Sequence, residues 1–503
     1  MVGYITGTPR EQIHLFNESL DEMIAADNIV RFIDAYVEIL DLQELGFIMP
    51  VGTTGAPPYR TQLKLKIYIY GYLERIRSSR RLENECGRNT ELIWLTENLA
   101  PDFKTIADFR KDNRIALKNL FKEFLKLCHK LELLSFKSVA IDGSKMRGQN
   151  SLNEVYKREQ MRQIEESIQE KIDNYLNELD ELDCLEQKNG VSVNEEKIKS
   201  ITERLSMQMK RKEKIAIING IFEENPDLKT YFASDEACRL QSDKGKIRPG
   251  YNVQTAVEDK NSLLAVAEVT NEQNDKKQLT PMLGRVRKQK ADLGIEEKTT
   301  GIADAGYFTE NEILNNKDSE DFSIVVSPAA EGKPTATSKC GKNKKVPSAG
   351  YESDDFTYDE KRDVYLCPEG KELSRITKTP AVDRHGRKTH RYRSVSAVCS
   401  KCPKKDLCTS SANGRMLLVS ANRKEMQDYI ENLKTKQNRS FIDRRKEMVE
   451  HPFGTIKRSM GYTYFLLRGI EKVQGEFSLM GFVYNLKRVV NIVGVNILMA
   501  ALQ

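Results

Sequence analysis

Apolar residues recur every three to four positions through residues 11–135, which is the spacing of amphipathic helices. The pattern is clearest in the stretches NIVRFIDAYVEILDLQELGF and RIALKNLFKEFLKLCHKLELL. Between them lies a segment that is rich in arginine and lysine. We therefore predict a helical N-terminal domain over residues 1–135.

A second helical pattern fills residues 153–216, where the composition shifts to Glu, Lys, Gln and Asn. Apolar residues here follow the spacing of a coiled coil, and Gly190 interrupts them. The sequence therefore predicts an antiparallel helical hairpin that is inserted into another domain. The apolar positions are Ile164, Ile168, Ile172, Tyr175, Leu179 and Leu182 on the first arm and Ile198, Ile201 and Leu205 on the second.

Alternation of apolar and polar residues predicts strands on both sides of this hairpin. GYNVQTAVEDKNSLLAVAEVT predicts two strands that turn at EDKN, residues 283–297 predict a helix, and TTGIADAG predicts another strand. Together with the strand in VAIDGS, these elements predict an α/β core. Asp142 and Asp304 would lie at strand ends of this core, where binding sites of such sheets are found.

Length, charge and apolar content narrow the class of protein. A chain of 503 residues is long enough for two to four domains, and its net charge of +6 is too small to predict a nucleic-acid partner by itself. The N-terminus lacks the pattern of a signal peptide. The apolar stretch FSLMGFVYNLKRVVNIVGVNILMAAL is interrupted by Lys487 and Arg488, so we predict a buried helix, no membrane contact and a cytoplasmic location.

The segment between the two N-terminal helical stretches has a local excess of positive charge. Arg77, Arg80 and Arg81 recur near helical spacing, and one helix face could present them to DNA phosphates. The alternative is an ordinary solvated helix face. The basic residues are Arg60, Lys64, Lys66, Arg75, Arg77, Arg80, Arg81 and Arg88, against three acids in YRTQLKLKIYIYGYLERIRSSRRLENECGR.

A third carboxylate, Glu450, lies in the predicted helix RRKEMVEHPFGTIKRSMG and is flanked by basic residues. Lys457 follows it by seven positions, almost two helical turns, and is therefore expected on the same face. Pro452 either kinks this helix or begins a new one. Two strand-end aspartates and a helix-borne glutamate could hold two Mg²⁺ or Mn²⁺ ions for phosphoryl transfer, although each acid taken singly is typical of a turn or a surface.

Four of the nine cysteines predict a second type of metal site. Cys367 lies in YLCPEGKEL, and CSKCPKKDLC supplies Cys399, Cys402 and Cys408. This spacing fits a four-thiolate Zn²⁺ site that closes a loop-rich insertion, with Cys340 as a substitute ligand. The alternative is a set of reduced thiols that pack a small β insertion.

The motifs together resemble those of the DDE transposases of bacterial insertion sequences, along almost the whole chain. IDGSKMRG, ADAGYF and VEHPFGTIKR are similar to the motifs of the first aspartate, the second aspartate and the glutamate. YNVQTAVE and EVTNEQNDKKQL are similar to the strands and loop between them, and the basic block up to TIADFR is similar to an InsH-type N-terminal domain. The resemblance implies an RNase H-like core in which Asp142, Asp304 and Glu450 are catalytic acids that hold two Mg²⁺ or Mn²⁺ ions.

The resemblance also assigns phosphate contacts. Lys457 matches the lysine of the family's tyrosine, arginine, glutamate, lysine signature. The chain departs from this signature because Lys446 occupies the arginine position and Asp443 the tyrosine position. The arginine's contact with phosphate would therefore pass to Lys446 or Arg445, and the role of the tyrosine is left without a residue.

Four further residues are alternatives that the sequence leaves open. Glu447 competes with Glu450 as the third acid, but it is out of register with Lys457. His451 would be a general base only if metal-activated water were not sufficient. Asp235 and Asp275 could also approach the site, and nothing in the sequence places them there.

The resemblance implies a DNA transposase that cleaves strands at the ends of an insertion sequence and transfers them into target DNA. Its partners would be double-stranded DNA, namely terminal inverted repeats and target DNA, and a second copy of the chain in a homodimeric synaptic complex near the bacterial nucleoid. The alternatives are a metal-dependent nuclease without strand transfer and an inactive DNA-binding repressor copy. The predicted domains are 1–135 (helical, DNA-binding), 136–152 with 217–330 (core, first part), 153–216 (hairpin insertion), 331–430 (Cys-rich insertion) and 431–503 (core, C-terminal helices with Glu450).

Overall fold

The structure is a computed structural model that describes residues 19–50, 57–189, 195–235, 237–243, 246–328, 351, 355–382 and 388–503. In these ranges the α-helices are α1 (Ile29–Ile39), α2 (Thr61–Leu73), α3 (Ser79–Cys86), α4 (Thr90–Leu95), α5 (Phe103–Asp112), α6 (Arg114–Lys130), α7 (Met161–Asn189), α8 (Glu195–Glu224), α9 (Leu279–Asp292), α10 (Glu310–Asn316), α11 (Ser396–Ser400), α12 (Lys405–Cys408), α13 (Arg423–Leu433), α14 (Lys436–Gly454) and α15 (Ile470–Ala501).

The strands in the same ranges form two larger sheets and one small pair. They are β1 (Ser138–Arg147), β2 (Val155–Lys157), β3 (Thr230–Phe232), β4 (Arg239–Asp243), β5 (Lys246–Glu258), β6 (Leu264–Thr270), β7 (Thr299–Ala303), β8 (Phe322–Val326), β9 (Thr357–Asp359), β10 (Val364–Leu366), β11 (Glu372–Arg375), β12 (Ala381–Val382), β13 (Lys388–Ser394) and β14 (Met416–Ser420). The α/β character predicted from the sequence is confirmed.

The N-terminal region is helical, as its apolar spacing predicts. Side-chain caps fix the starts of several helices: Asn28 accepts a hydrogen bond from the backbone N–H of Val30, and Asp102 accepts from those of Lys104 and Thr105. Such caps satisfy N–H groups that have no partner within the first turn of a helix. The helices of this region therefore have locally encoded starts.

The first large sheet has the strand order β4-β5-β1-β7-β8, and β6 also pairs with β5. β1 is antiparallel to β5 and parallel to β7, which is in turn parallel to β8. The helix predicted over 283–297 is α9, which begins and ends several residues earlier. Gly294, at φ +69°, follows the end of α9, in the left-handed conformation that commonly terminates helices.

One helix, α15, joins the N-terminal helices to this sheet. It packs against α6, α2 and β6, and its side chains Phe477, Met480 and Val483 are fully buried. Phe482 meets Phe124 of α6 with ring centroids 5.0 Å apart. α15 is the only helix in the described ranges that is long and apolar enough to cross a membrane, and its burial in the core agrees with the predicted buried helix.

The helical hairpin consists of α7 and α8, and its turn, with Gly190, lies outside the described residues. It has a separate core that includes Ile168 and Ile172 on α7 and Ile218 and Phe222 on α8. Because Ile218 and Phe222 continue the apolar seam, α8 extends beyond the predicted end at 216. The strands β2 and β3 pair at the base of the hairpin.

The cysteine-rich insertion forms the second large sheet, with the order β12-β13-β11-β10-β9 and β14 paired to β13. Its core is small and contains Phe356, Tyr365, Leu373, Tyr392 and Leu417. The chain then returns through α13 to α14, which carries Glu450. Cys340, the substitute zinc ligand, lies outside the described residues.

Candidate active site

Asp142 and Asp304 lie beside each other on two adjacent parallel strands. The last parallel pair between β1 and β7 is Ile141 with Ala303, so each aspartate directly follows that pair. The prediction that Asp142 ends its strand is wrong, because β1 continues to Arg147 along its other neighbour, β5. Asp304 does follow the end of β7, and its Oδ1 accepts a 2.8 Å hydrogen bond from the backbone N–H of Gly306.

A third carboxylate, Asp275, lies close to this pair. Its Oδ1 accepts hydrogen bonds of 2.7 Å from Asn252 Nδ2 and 2.7 Å from Gln254 Nε2, two buried amides on β5. Lys145 Nζ lies 3.6 Å from the same oxygen and is itself buried. Asn252 and Gln254 alternate in the sequence, so they project from one face of β5. Two amides separated by one residue in YNVQ are the sequence signal that could have indicated a carboxylate partner such as Asp275.

Two residues of the sequence motifs, Gly143 and Tyr307, lie next to the side chain of Gln254. A Cβ atom at Gly143 would lie 2.4 Å from Gln254 Nε2 and 2.7 Å from Asp275 Oδ1, so any larger residue would displace the side chains that make this hydrogen bond. The hydroxyl of Tyr307, from ADAGYF, donates a 2.5 Å hydrogen bond to Gln254 Oε1 in the core. Gly143, after the first aspartate, gives space to the side-chain amide of Gln254 on β5, and Tyr307, after the second aspartate, hydrogen-bonds to it.

Burial and neighbouring carboxylates disfavour the charged form of Asp142. Burial, together with the nearby charges of Asp304 and Asp275, raises the pKa of Asp142 to about 7 against the opposing effect of Arg445. Burial, followed by the three aspartates, also raises the pKa of Tyr307 well above its usual range.

Two basic residues of the predicted phosphate-contact set approach this site. Arg445 Nη1, on α14, lies 3.9 Å from Asp142 Oδ1. Lys457 Nζ donates hydrogen bonds to Ser144 Oγ at 2.5 Å and to the carbonyl of Lys145 at 2.7 Å, two and three residues after Asp142. Lys446 is exposed on α14. The structure thus brings Arg445 and Lys457 to β1.

Glu450 lies on the exposed side of α14. Its side chain is exposed, and it follows Arg445 by five positions, a rotation of about 140° around an α-helix. α14 runs through Pro452, so Glu450 is inside the helix and not at a helix start. A π-helical turn at Thr455–Ser459 contains Lys457, which removes the simple spacing expected between it and Glu450.

Of the other residues considered from the sequence, two are occupied elsewhere. His451 Nδ1 lies 2.9 Å from the hydroxyl of Tyr484, and its Nε2 lies 2.9 Å from Arg488 Nη1, which holds the ring against α15. Asp235 accepts a 2.5 Å hydrogen bond from the hydroxyl of Tyr251. Neither arrangement involves the aspartate cluster.

The three arginines predicted to contact DNA have different environments. Arg77 is buried between Tyr462 and Tyr464, at 4.7 and 4.6 Å from their ring centroids, and its Nη1 donates to the carbonyl of Tyr464. This position argues for a structural role and against a phosphate contact. Arg80 lies over the ring of Phe103 and Arg81 lies 3.7 Å from a carboxylate oxygen, yet both are exposed.

The four predicted zinc ligands lie together in the insertion. Cys367, Cys399, Cys402 and Cys408 line one cavity of about 30 Å³, and all four are reduced and partly buried. Burial raises the pKa of the Cys408 thiol, and the other three thiols add to this effect. Within the described ranges, no group of three or more His, Cys, Asp or Glu side chains has the arrangement of a formed metal site.

Comparison with protein families identifies two segments of the chain. Residues 366–490 match the family model of a transposase DDE domain, and residues 18–112 match that of the transposase domain DUF772. Both are transposase domains. The resemblance recognised from the motifs is thereby confirmed, and a function in transposition is indicated. No curated protein matches the chain.

The matched transposase segments cover only part of the candidate site. The DDE-domain match contains Glu450, Lys457 and the four clustered cysteines, whereas Asp142 and Asp304 lie outside both matched ranges. The fold nevertheless brings the two parts together, because α14, which belongs to the DDE-domain match, packs against β1 and β7, which carry and precede the two aspartates.

Proposed function

We propose that this chain is a DNA transposase that cleaves strands at the ends of an insertion sequence and joins them to target DNA by metal-dependent phosphoryl transfer. The observation that carries the proposal is the placement of Asp142 and Asp304 directly after the last parallel pair of β1 and β7. Two carboxylates on neighbouring strands of one sheet, in a chain that matches a transposase DDE domain, would provide the ligands that such a reaction needs.

The core that holds these residues is proposed to be RNase H-like. Three antiparallel strands (β6, β5 and β1) are followed in the sheet by two strands, β7 and β8, that run parallel to β1. The hairpin interrupts this core between β1 and β4, and the cysteine-rich insertion interrupts it between β8 and α13.

The residues present fit a pair of hard divalent cations. Asp142 is partly buried near Asp304 and Asp275, whose charges add to the effect of burial in raising its pKa, and a bound cation would offset these charges. Carboxylate oxygens are the ligands that Mg²⁺ and Mn²⁺ prefer. Two such ions would supply activation of the attacking oxygen and stabilisation of the leaving oxygen.

The chain's own residues have separate roles in this proposal. Asp142 and Asp304 bind the ions, and Arg445 limits the repulsion between them. Lys457, held against β1 after Asp142, is placed to meet a phosphate of the bound strand. Glu450 is proposed as the third catalytic acid from its motif, and Asp275 as the residue that, with Asn252 and Gln254, maintains the pocket.

DNA binding and assembly complete the proposal. The exposed residues Arg80, Arg81 and Lys446 would contact phosphates of terminal inverted repeats and of target DNA. Bringing two element ends together would require at least a homodimer. The protein would act in the bacterial cytoplasm, at the nucleoid.

The decisive experiment incubates the purified chain and Mg²⁺ with labelled DNA that carries the flanking inverted repeats. Cleavage at the repeat ends and joined products are expected, and Asp142→Asn or Asp304→Asn should abolish both while DNA binding persists. Nicked DNA without joined product would identify a nuclease. Binding without cleavage, in Mg²⁺ and in Mn²⁺, would identify a repressor, and either result would overturn the proposal.

Two further isosteric variants test whether Asp275 or Glu450 is the third catalytic acid. Asp275→Asn keeps the amide hydrogen bonds but removes the charge, and we expect cleavage to fall at least tenfold; Glu450→Gln should reduce it by a similar factor. Glu447→Gln, on the same helix, is the matched control and should retain activity. An active Glu450→Gln beside an inactive Asp275→Asn would show that Asp275 is the third acid and that the motif assignment of Glu450 is wrong.

A further inference from the structure

The cavity lined by Cys367, Cys399, Cys402 and Cys408 lies in the insertion, away from the aspartate cluster, and is built from two distant segments of the chain. Cys367 directly follows β10, whereas the other three belong to the α11–α12 region. A volume of about 30 Å³ accommodates a single ion or water molecule. The fold therefore brings four sulfur atoms around a space of atomic size.

The backbone turns at these cysteines are shaped around sulfur. The backbone N–H of Lys371 donates to Cys367 Sγ at 3.3 Å, and the turn closes through Gly370, whose φ is +70°. On the opposite side, Ser394 Oγ lies 2.9 Å from Cys399 Sγ. A backbone N–H donor directed at a cysteine sulfur, as at Cys367, is typical of the surroundings of metal-bound thiolates, because it stabilises the negative charge.

Positive charge surrounds the same cavity. Its lining includes four basic residues, Lys371, Lys404, Lys405 and Arg415, and one acid, Glu369; Arg415 Nη1 donates a 2.6 Å hydrogen bond to the carbonyl of Cys408. Four neutral thiols would not need this charge. Four thiolates around a divalent cation have a net charge of −2, which these side chains offset.

Simple packing does not account for the four cysteines. Thiols that only fill a core are usually fully buried, as Cys86 and Cys128 are in the N-terminal helices. The four clustered thiols are only partly buried, and just two of them, Cys367 and Cys408, pack against the core of five side chains. An insertion with so small a core needs another source of stability.

We propose that Cys367, Cys399, Cys402 and Cys408 bind one Zn²⁺ ion that holds the insertion together. Thiolate ligands and fourfold coordination select zinc over Mg²⁺ or Ca²⁺. Each thiol releases its proton to solvent on binding, and the side chains turn toward the centre of the cavity through changes in rotamer. The proposal is independent of the phosphoryl-transfer reaction.

The ion would also stabilise the connection to the α/β core. Ser420 Oγ and Asn422 Nδ2, at the exit from the insertion, donate to Glu310 Oε1 at 2.6 and 2.8 Å. α13 and α14 follow directly. A disordered insertion would therefore loosen the segment that carries Arg445 to Asp142.

The test measures metal in the full-length chain, purified without chelator and with reduced thiols. We expect about one zinc per chain, and replacement by Co²⁺ should give thiolate charge-transfer and tetrahedral d–d absorption bands. Cys402→Ser should remove most of the zinc and make residues 360–410 sensitive to protease. Cys184→Ser, at an exposed thiol of the hairpin, is the matched control and should keep the metal.

Two results would overturn the proposal. One is wild-type protein without zinc whose clustered thiols react freely with a thiol reagent before and after addition of Zn²⁺. The other is a soluble Cys402→Ser protein that retains a full equivalent of zinc. If that variant is insoluble, the stoichiometry and the cobalt spectrum of the wild-type chain decide the question.

Discussion

Asp142 occupies a position that favours function over stability. Its carboxyl group is partly buried near two other carboxylates, and its pKa is raised to about 7 in the folded chain. In the unfolded chain the same group would titrate near its ordinary value of 3.8. Since the folded pKa is the higher one, the folded state binds more protons, and stability without divalent cations should fall as the pH rises from about 4 to about 7.

This sign leads to a prediction for Asp142→Asn without added Mg²⁺. Asparagine cannot ionise, so the variant should be more stable than wild type at pH 8, on the order of 1 kcal/mol or more, and close to wild type below about pH 4. Thermal unfolding at both pH values measures the difference. Asp→Asn at exposed Asp443 is the control and should show no such pH dependence; an Asp142→Asn protein that is less stable than wild type at pH 8 would refute the electrostatic argument.

At the scale of elements, the region around α3 separates a structural arginine from exposed ones. Arg77, before α3, is buried 3.7 Å from Glu476, a fully buried carboxylate that also accepts hydrogen bonds from the backbone of Leu466 and Leu467. Arg81, within α3, is exposed. Helical spacing in the sequence does not distinguish Arg77 from Arg81, whereas packing against α15 buries only Arg77.

Arg77→Ala should therefore lower stability, whereas Arg81→Ala should weaken DNA binding. Arg77→Ala removes the cation that forms an ion pair with the buried Glu476 and should lower the free energy of unfolding by about 3 kcal/mol. Arg81→Ala should change stability by less than about 0.5 kcal/mol but reduce the salt dependence of DNA binding by about one unit of slope. Denaturant unfolding and binding titrations over a salt series measure both. A stable Arg77→Ala protein with a reduced slope would restore the DNA-contact assignment of Arg77.

At the scale of the whole molecule, one core joins regions that the sequence separates. Buried residues of α1–α6, of the first large sheet and of α15 form a single continuous cluster, so the core does not end at the predicted boundary at 135. The hairpin and the cysteine-rich insertion have their own clusters. Both insertions therefore attach to a core that does not depend on their apolar residues.

This organisation predicts that the hairpin can be removed. Replacing residues 162–223 by a short Gly-Ser linker should leave the main thermal transition of the chain within a few degrees of wild type, because β2 and β3 still pair at the base. As a control, replacing the 32 residues of α15 by a linker should abolish folding. Loss of the cooperative transition in the hairpin deletion would show that α7 and α8 stabilise the core.

The sequence by itself determined the local features of this protein. Periodicity predicted the helices of the N-terminal region, the two arms of the hairpin and the strands around Asp142 and Asp304, because amphipathic spacing reflects burial on one face of an element. Cysteine spacing predicted the four residues that share a cavity. The transposase resemblance, confirmed by the family matches, rested on short motifs of this kind.

Only the tertiary structure decided which side chains meet. Asp275 joined the aspartates because Asn252 and Gln254 of β5 project toward it, and a pattern along one strand does not specify what lies opposite. Glu450 remained exposed because the rotation of α14 is set by packing of Met448 and Val449. Arg77 became a core residue because α15 supplies Glu476. Long-range packing thus assigned each role, since it fixes the distances and burial on which charge interactions depend.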